Sequence, residues 1–82
     1  MREELREFAE EMEKILQEND WKGGWDFKDG VEISTLERFL NVEEGEHQED
    51  IDNDMPYEYR GKELIDIANF CLFLWHRYKR GK

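Results

Sequence analysis

The stretch from Leu64 to Trp75 constrains this chain more than any other, because ten of its twelve residues are apolar and only Asp66 and Asn69 interrupt it. A surface helix carries one apolar stripe, whereas a helix that is apolar on nearly every side must be covered by other elements. Only 82 residues are available to cover it. A single core of that size rarely leaves more than about 3–5 kcal/mol of net stability unless a disulfide, a metal or a partner chain adds to it. Cys71 is the only cysteine, which excludes an intrachain disulfide, and no Cys/His spacing suggests structural zinc. Oxygen-ligated metal or self-association is left. Two further helices with one stripe each do not cover such a helix, so the expected fold is all-α. It is a short helical bundle completed by dimerisation, as a homodimer or a dimer of dimers.

Charge narrows the function classes. With 22 acidic and 12 basic side chains the formal net charge is −10, and 41% of the residues are charged. Such a surplus repels a phosphate backbone, so direct nucleic-acid binding is not expected. The chain starts directly into charged sequence, Met1-Arg2-Glu3-Glu4, and the uncharged run Ile67 to Trp75 is only nine residues long. Neither a signal peptide nor a membrane span fits, and a cytoplasmic location is expected.

One domain over residues 1–82 is expected, with helices at about 3–19, 34–48 and 61–79. In the first, Leu5, Phe8, Ala9, Met12, Ile15 and Leu16 follow the i, i+3, i+4, i+7 spacing of a one-sided helix. A loop with Trp21, Trp25 and Phe27 among Lys22, Lys28 and three glycines follows. Ser34-Thr35-Leu36-Glu37 reads as a capping box that starts the second helix, with Leu36, Phe39, Leu40 and Val42 inward. From Glu43 to Asp54 there are seven carboxylates and no lysine or arginine, and Gly45 weakens any helix there. Like-charge repulsion predicts a frayed end unless a cation is bound. Pro56 and Gly61 bracket a predicted turn before the third helix, in which Cys71 is expected to behave as a buried small apolar group. Arg77, Lys79, Arg80 and Lys82 suit the dipole at that helix's end.

The pattern that carries chemistry is Glu43-x-x-Glu46, sixteen intervening residues, then Glu63-x-x-Asp66. On two antiparallel helices these pairs point into one gap and form a four-carboxylate cage. Mg²⁺ and Mn²⁺ prefer oxygen ligands and keep waters that a triphosphate can displace. Spacing alone is weak evidence in so acidic a chain, since Glu46-x-x-Glu49 fits as well and a solvated face explains most carboxylates. Asp66 is different. An unpaired carboxylate in the greasiest helix costs several kcal/mol, so it needs a partner or a cation. Asp50-x-Asp52-x-Asp54 starts like a calcium-binding EF-hand loop, but Met55 stands where the turn needs glycine and Gly61 where the bidentate glutamate belongs.

Two segments are more specific. Phe8-Ala9-x-x-Met12-Glu13-x-x-Leu16-x-x-Asn19-x-x-Lys22-Gly23-Gly24-Trp25 and Glu63-Leu64-Ile65-Asp66-Ile67-Ala68-Asn69-Phe70 resemble the all-α nucleoside triphosphate pyrophosphohydrolases of the MazG-like type, especially small phage and archaeal members. The resemblance covers most of the chain. It implies hydrolysis between the α- and β-phosphates of a nucleoside triphosphate with Mg²⁺, or Mn²⁺, held by Glu43, Glu46, Glu63 and Asp66. It also implies a homodimer, with Lys22 and Arg38 offsetting phosphate charge, Trp25 stacking on the base and Asn69 offering a polar contact. The family's first metal helix has the form E-E-x-x-E. Here Glu43-Glu44-Gly45-Glu46-His47 either replaces the third carboxylate by His47 or displaces it to Glu46. Three functions therefore stand side by side: the pyrophosphohydrolase, a catalytically degenerate relative that binds nucleotide or metal, and an acidic interaction protein that mimics nucleic acid through residues 43–54.

Overall fold

The computed structural model describes residues 1–19 and 30–81. Three helices make up the fold: α1 (Glu3–Glu18), α2 (Ile33–Asp52) and α3 (Tyr57–Arg80), with no strand among the described residues. The all-α expectation therefore holds. α3 packs against both other helices, as its apolar sequence requires.

The α2–α3 connection is four residues, Asn53 to Pro56, and it fixes the register of everything beside it. Asp54 takes the left-handed conformation, φ 56°, which aspartate tolerates better than most residues. Arg60, in the first turn of α3, reaches back across the turn. Its Nε donates to the Met55 carbonyl at 2.7 Å, its Nη2 to Asp54 Oδ1 at 3.0 Å, and its guanidinium lies 4.8 Å from the Tyr57 ring centroid. A hairpin turning about Asp54 and Met55 sets each α2 residue opposite an α3 residue at equal chain distance. His47 meets Glu63, and the Phe39 and Phe70 rings meet tilted at 54° with 5.9 Å between centroids.

Leu36, Phe73 and Leu74 form the buried core, and Leu16, Val31, Ile33, Leu40 and Phe70 pack around it. Phe70 and Phe73 meet edge to face at 6.0 Å, an arrangement that the ring quadrupole favours. α1 contributes Leu16 at one end, and its Met12 carbonyl accepts a 3.4 Å hydrogen bond from Asn69 Nδ2 on α3. None of its residues is fully buried. The Arg6 pairs with Glu3 and Glu10 on its outer face are exposed and add little to stability.

Several expectations need correction. α2 does not fray at residue 48 but runs through the acidic segment and past Gly45 to Asp52, because its inner face there is packed on α3. The capping box does not form: the helix starts one residue early, with Glu32 as N-cap and no side-chain cap hydrogen bond. Tyr57 to Arg60 is not a separate turn but the first turn of α3, which Pro56 caps with φ near its fixed value. Val42 is exposed rather than inward, and Cys71 is exposed rather than buried, on the side of α3 that faces neither α1 nor α2. Arg77 lies in the last turn of α3 and is buried. Among the described residues no helix is long and apolar enough to cross a membrane.

Two substitutions test this hairpin. Gly45 is exposed within α2 and an added Cβ meets nothing within 4 Å, so Gly45→Ala should raise unfolding free energy by about 0.5–1 kcal/mol. Arg60→Ala should lower it by about 1–2 kcal/mol, chiefly through the Met55 carbonyl. Urea denaturation followed by circular dichroism measures both.

Candidate functional site

Glu43, Glu46, His47 and Asp50 recur at i, i+3, i+4 and i+7, so they lie on one stripe of α2. The hairpin register sets that stripe against Glu63 and Asp66, which share a face of α3 at i and i+3. His47 Nδ1 and Glu63 Oε1 stand 2.9 Å apart, with side chains 19% and 16% exposed. With the carboxylate ionised, Nδ1–H is the donor. Asp50 hydrogen-bonds the same Glu63 carboxyl, and that contact raises the Glu63 pKa while His47 pulls it down. Two carboxyls share a hydrogen bond only when one of them holds a proton, which is why Asp50 acts in this direction.

The other carboxylates repel one another across the seam. Burial pushes the Glu43 pKa above its ordinary value, and the charges of Glu46, Asp66 and Glu63 push it further. Asp66 is raised by burial and by Glu46, against the opposing pull of Lys62 one turn earlier. All four carboxylates expected from the sequence, Glu43, Glu46, Glu63 and Asp66, thus occupy one electrostatic neighbourhood. Among the described residues, no three His, Cys, Asp or Glu side chains are gathered closely enough to hold a metal ion as they stand. The donor set itself is of the right kind, mostly carboxylate oxygen with one imidazole, and its mutual repulsion is what a divalent cation relieves.

The remaining expected residues lie elsewhere. Arg38 is exposed, five residues before Glu43 and so on a different side of α2. Asn69 is 5% exposed between α1 and α3, where its Nδ2 donates to Met12 and its Oδ1 has no hydrogen-bond partner among the described residues. Lys22 and Trp25, with Trp21 and Lys28, lie outside the described residues. Sequence reasoning missed Asp50 and Lys62. Asp50 continues the Glu43–His47 stripe by one helical step, and Lys62 precedes Asp66 by four, so both were visible as helical spacing once α2 and α3 had their full lengths.

No family model, no curated protein and no solved structure matches the chain at a significant level.

The raised carboxyls make a pH prediction. A group whose pKa is raised by folding favours the folded state below its ordinary value, 3.8 for Asp66 and 4.5 for Glu43, and that advantage is lost as pH rises through the raised value. Asp66→Asn removes the charge and keeps the shape. Without divalent cation it should raise the thermal midpoint by a few degrees at pH 7, and the gain should vanish near pH 4. A lower midpoint at pH 7 would mean that ionised Asp66 is well partnered.

Proposed function

We propose that the chain is a Mg²⁺-dependent nucleoside triphosphate pyrophosphohydrolase, working as a homodimer, that cleaves a ribo- or deoxyribonucleoside triphosphate to the monophosphate and pyrophosphate. The observation that supports this most is the meeting of two carboxylate pairs, Glu43 with Glu46 and Glu63 with Asp66, at one helix–helix seam. These four residues would hold the cation. When bound, Mg²⁺ or Mn²⁺ neutralises phosphate charge and lowers the pKa of a coordinated water. The repulsion among the carboxylates favours a positive charge at the seam, beside which Phe39 and Phe70 pack ring against ring. Lys62 sits beside Asp66 and supplies a cation for a phosphate oxygen. Lys22 and Arg38 would offset further phosphate charge and Trp25 would stack on the base, as the family resemblance implies. We assign Asn69 to holding α1 on α3 rather than to the substrate.

His47 favours a second reading, a relative that binds cation or nucleotide without turnover, because it occupies Glu63 where a third carboxylate would otherwise stand. The nucleic-acid mimic has less support, since Asp50 is turned into the seam against Glu63 rather than outward.

Incubation with each of the eight common nucleoside triphosphates and Mg²⁺ or Mn²⁺ should release pyrophosphate from at least one. Asp66→Ala should abolish the release, and His47→Glu should raise activity with Mg²⁺ relative to Mn²⁺, because imidazole suits Mg²⁺ poorly. Cation binding by calorimetry with no release in any combination selects the second reading. Release that Asp66→Ala leaves intact contradicts the site.

A further inference from the structure

The seam changes character along its length. On α2, Phe39, Glu43 and His47 follow one another at four-residue steps, and on α3 Phe70, Asp66 and Glu63 run the opposite way at steps of four and three. Each step is close to one helical turn, about 5.4 Å. The hairpin therefore stacks three layers: Phe39 on Phe70, then Glu43 beside Asp66, then His47 on Glu63, nearest the Arg60 clasp. Glu43 accordingly feels the charges of Glu46 and Asp66 more strongly than that of Glu63.

Glu63 is hydrogen-bonded to the facing helix. His47 Nδ1 stands 2.9 Å from its Oε1, on side chains only 19% and 16% exposed, and Asp50, one step further along α2, bonds the same carboxyl. Removed from most of the water, such a bond meets less competition from solvent than the exposed pairs on α1 do. Mg²⁺ takes its oxygens at about 2.0–2.1 Å, so ligands from both helices must converge on one point to hold it. Among the described residues no three do. The donors are of the right kind, yet Glu63 is engaged one layer away from Glu43 and Asp66.

We infer that His47 is a latch that holds Glu63 apart from Glu43, Glu46 and Asp66, so that a divalent cation completes its ligand set only by taking Glu63 from the imidazole. The inference rests on the cation site of the proposed function and adds what sets its affinity. In this role His47 is a positioning residue, acting through Glu63. No covalent bond changes: Glu63 exchanges the Nδ1–H donor for the cation. A site whose competent form is only fractionally populated binds more weakly by that fraction. A hydrogen bond to an ionised group is strong enough to make the difference about tenfold.

Calorimetric titration of the full chain with Mn²⁺ alone, at about pH 8 where free imidazole is neutral, tests the latch. His47→Phe keeps a ring and loses the donor, and it should bind Mn²⁺ about tenfold more tightly than the wild type. His47→Asn offers an amide N–H in place of Nδ1–H and should stay near the wild type. A second measurement needs no variant for its chemistry: the imidazole nitrogen spectrum of the wild-type chain, with His47 assigned by its absence in His47→Asn. Without cation it should show the proton on Nδ1 and a bare Nε2, and Mg²⁺ should shift the Nδ1 proton signal as the bond to Glu63 breaks. Equal or weaker Mn²⁺ binding by a His47→Phe chain of unchanged helical circular dichroism overturns the latch, because a merely structural bond would lower stability without tightening the site. Tightening by His47→Asn as large as that by His47→Phe overturns it as well, and so does a cation-free imidazole protonated on Nε2. If the wild type binds Mn²⁺ and Asp66→Asn abolishes that binding, these failures remove the latch and leave the site standing. No Mn²⁺ binding by the wild type or either variant removes both.

Discussion

The clasp that Arg60 makes across the α2–α3 turn is the constraint on which the rest of the structure depends. By holding Asp54 and Met55, it fixes where the chain reverses, and a helical hairpin of fixed reversal has one register. Phe39 is thereby set on Phe70, Leu36 is brought into the core with Phe73 and Leu74, and the Glu43–Asp50 stripe is brought against Glu63 and Asp66. A shift of one residue would turn the polar stripe by a quarter turn and leave Asp66 against apolar neighbours. The same turn that completes the core therefore assembles the acidic seam.

That seam and the small core pull in opposite directions. Three buried apolar side chains among the described residues, Leu36, Phe73 and Leu74, at about 1.5–3 kcal/mol each, make a modest core for a chain of this length. Against it stand carboxylates that burial and mutual repulsion hold in a raised state. A cation at the seam, as proposed, would stabilise the folded form by mass action. Of the ten apolar residues in twelve on α3, some are packed toward α2 and α1, while Leu64, Cys71 and Trp75 stay exposed.

Much of this was legible in the sequence. The apolar run from Leu64 announced a central helix, and the stripe from Leu5 to Leu16 announced an amphipathic one. Asp66 stood out because a carboxylate in that run has no cheap alternative to a partner. Helix ends were less legible, and for one reason. Local signals such as Gly45, the like charges from Glu43 onward and the Ser34 capping box describe an isolated segment, whereas α2 is held by tertiary contact with α3 along its whole length. Once α2 is allowed to reach Asp52 and α3 to begin at Tyr57, the spacing that assigned Glu43 and Glu46 also yields His47 and Asp50. Cys71 was misjudged because its apolar neighbours suggested burial, while its helical phase puts it on the uncovered side.

The central claim is that the hairpin gathers Glu43, Glu46, Glu63 and Asp66 into one cation-accepting seam, and paramagnetic broadening tests it most directly. In a two-dimensional amide spectrum of the full chain, substoichiometric Mn²⁺ should first broaden residues 43–50 together with 62–67, and excess Mg²⁺ should restore them. Broadening spread along the exposed glutamates of α1, or confined to residues 49–54 without the α3 segment, would contradict it.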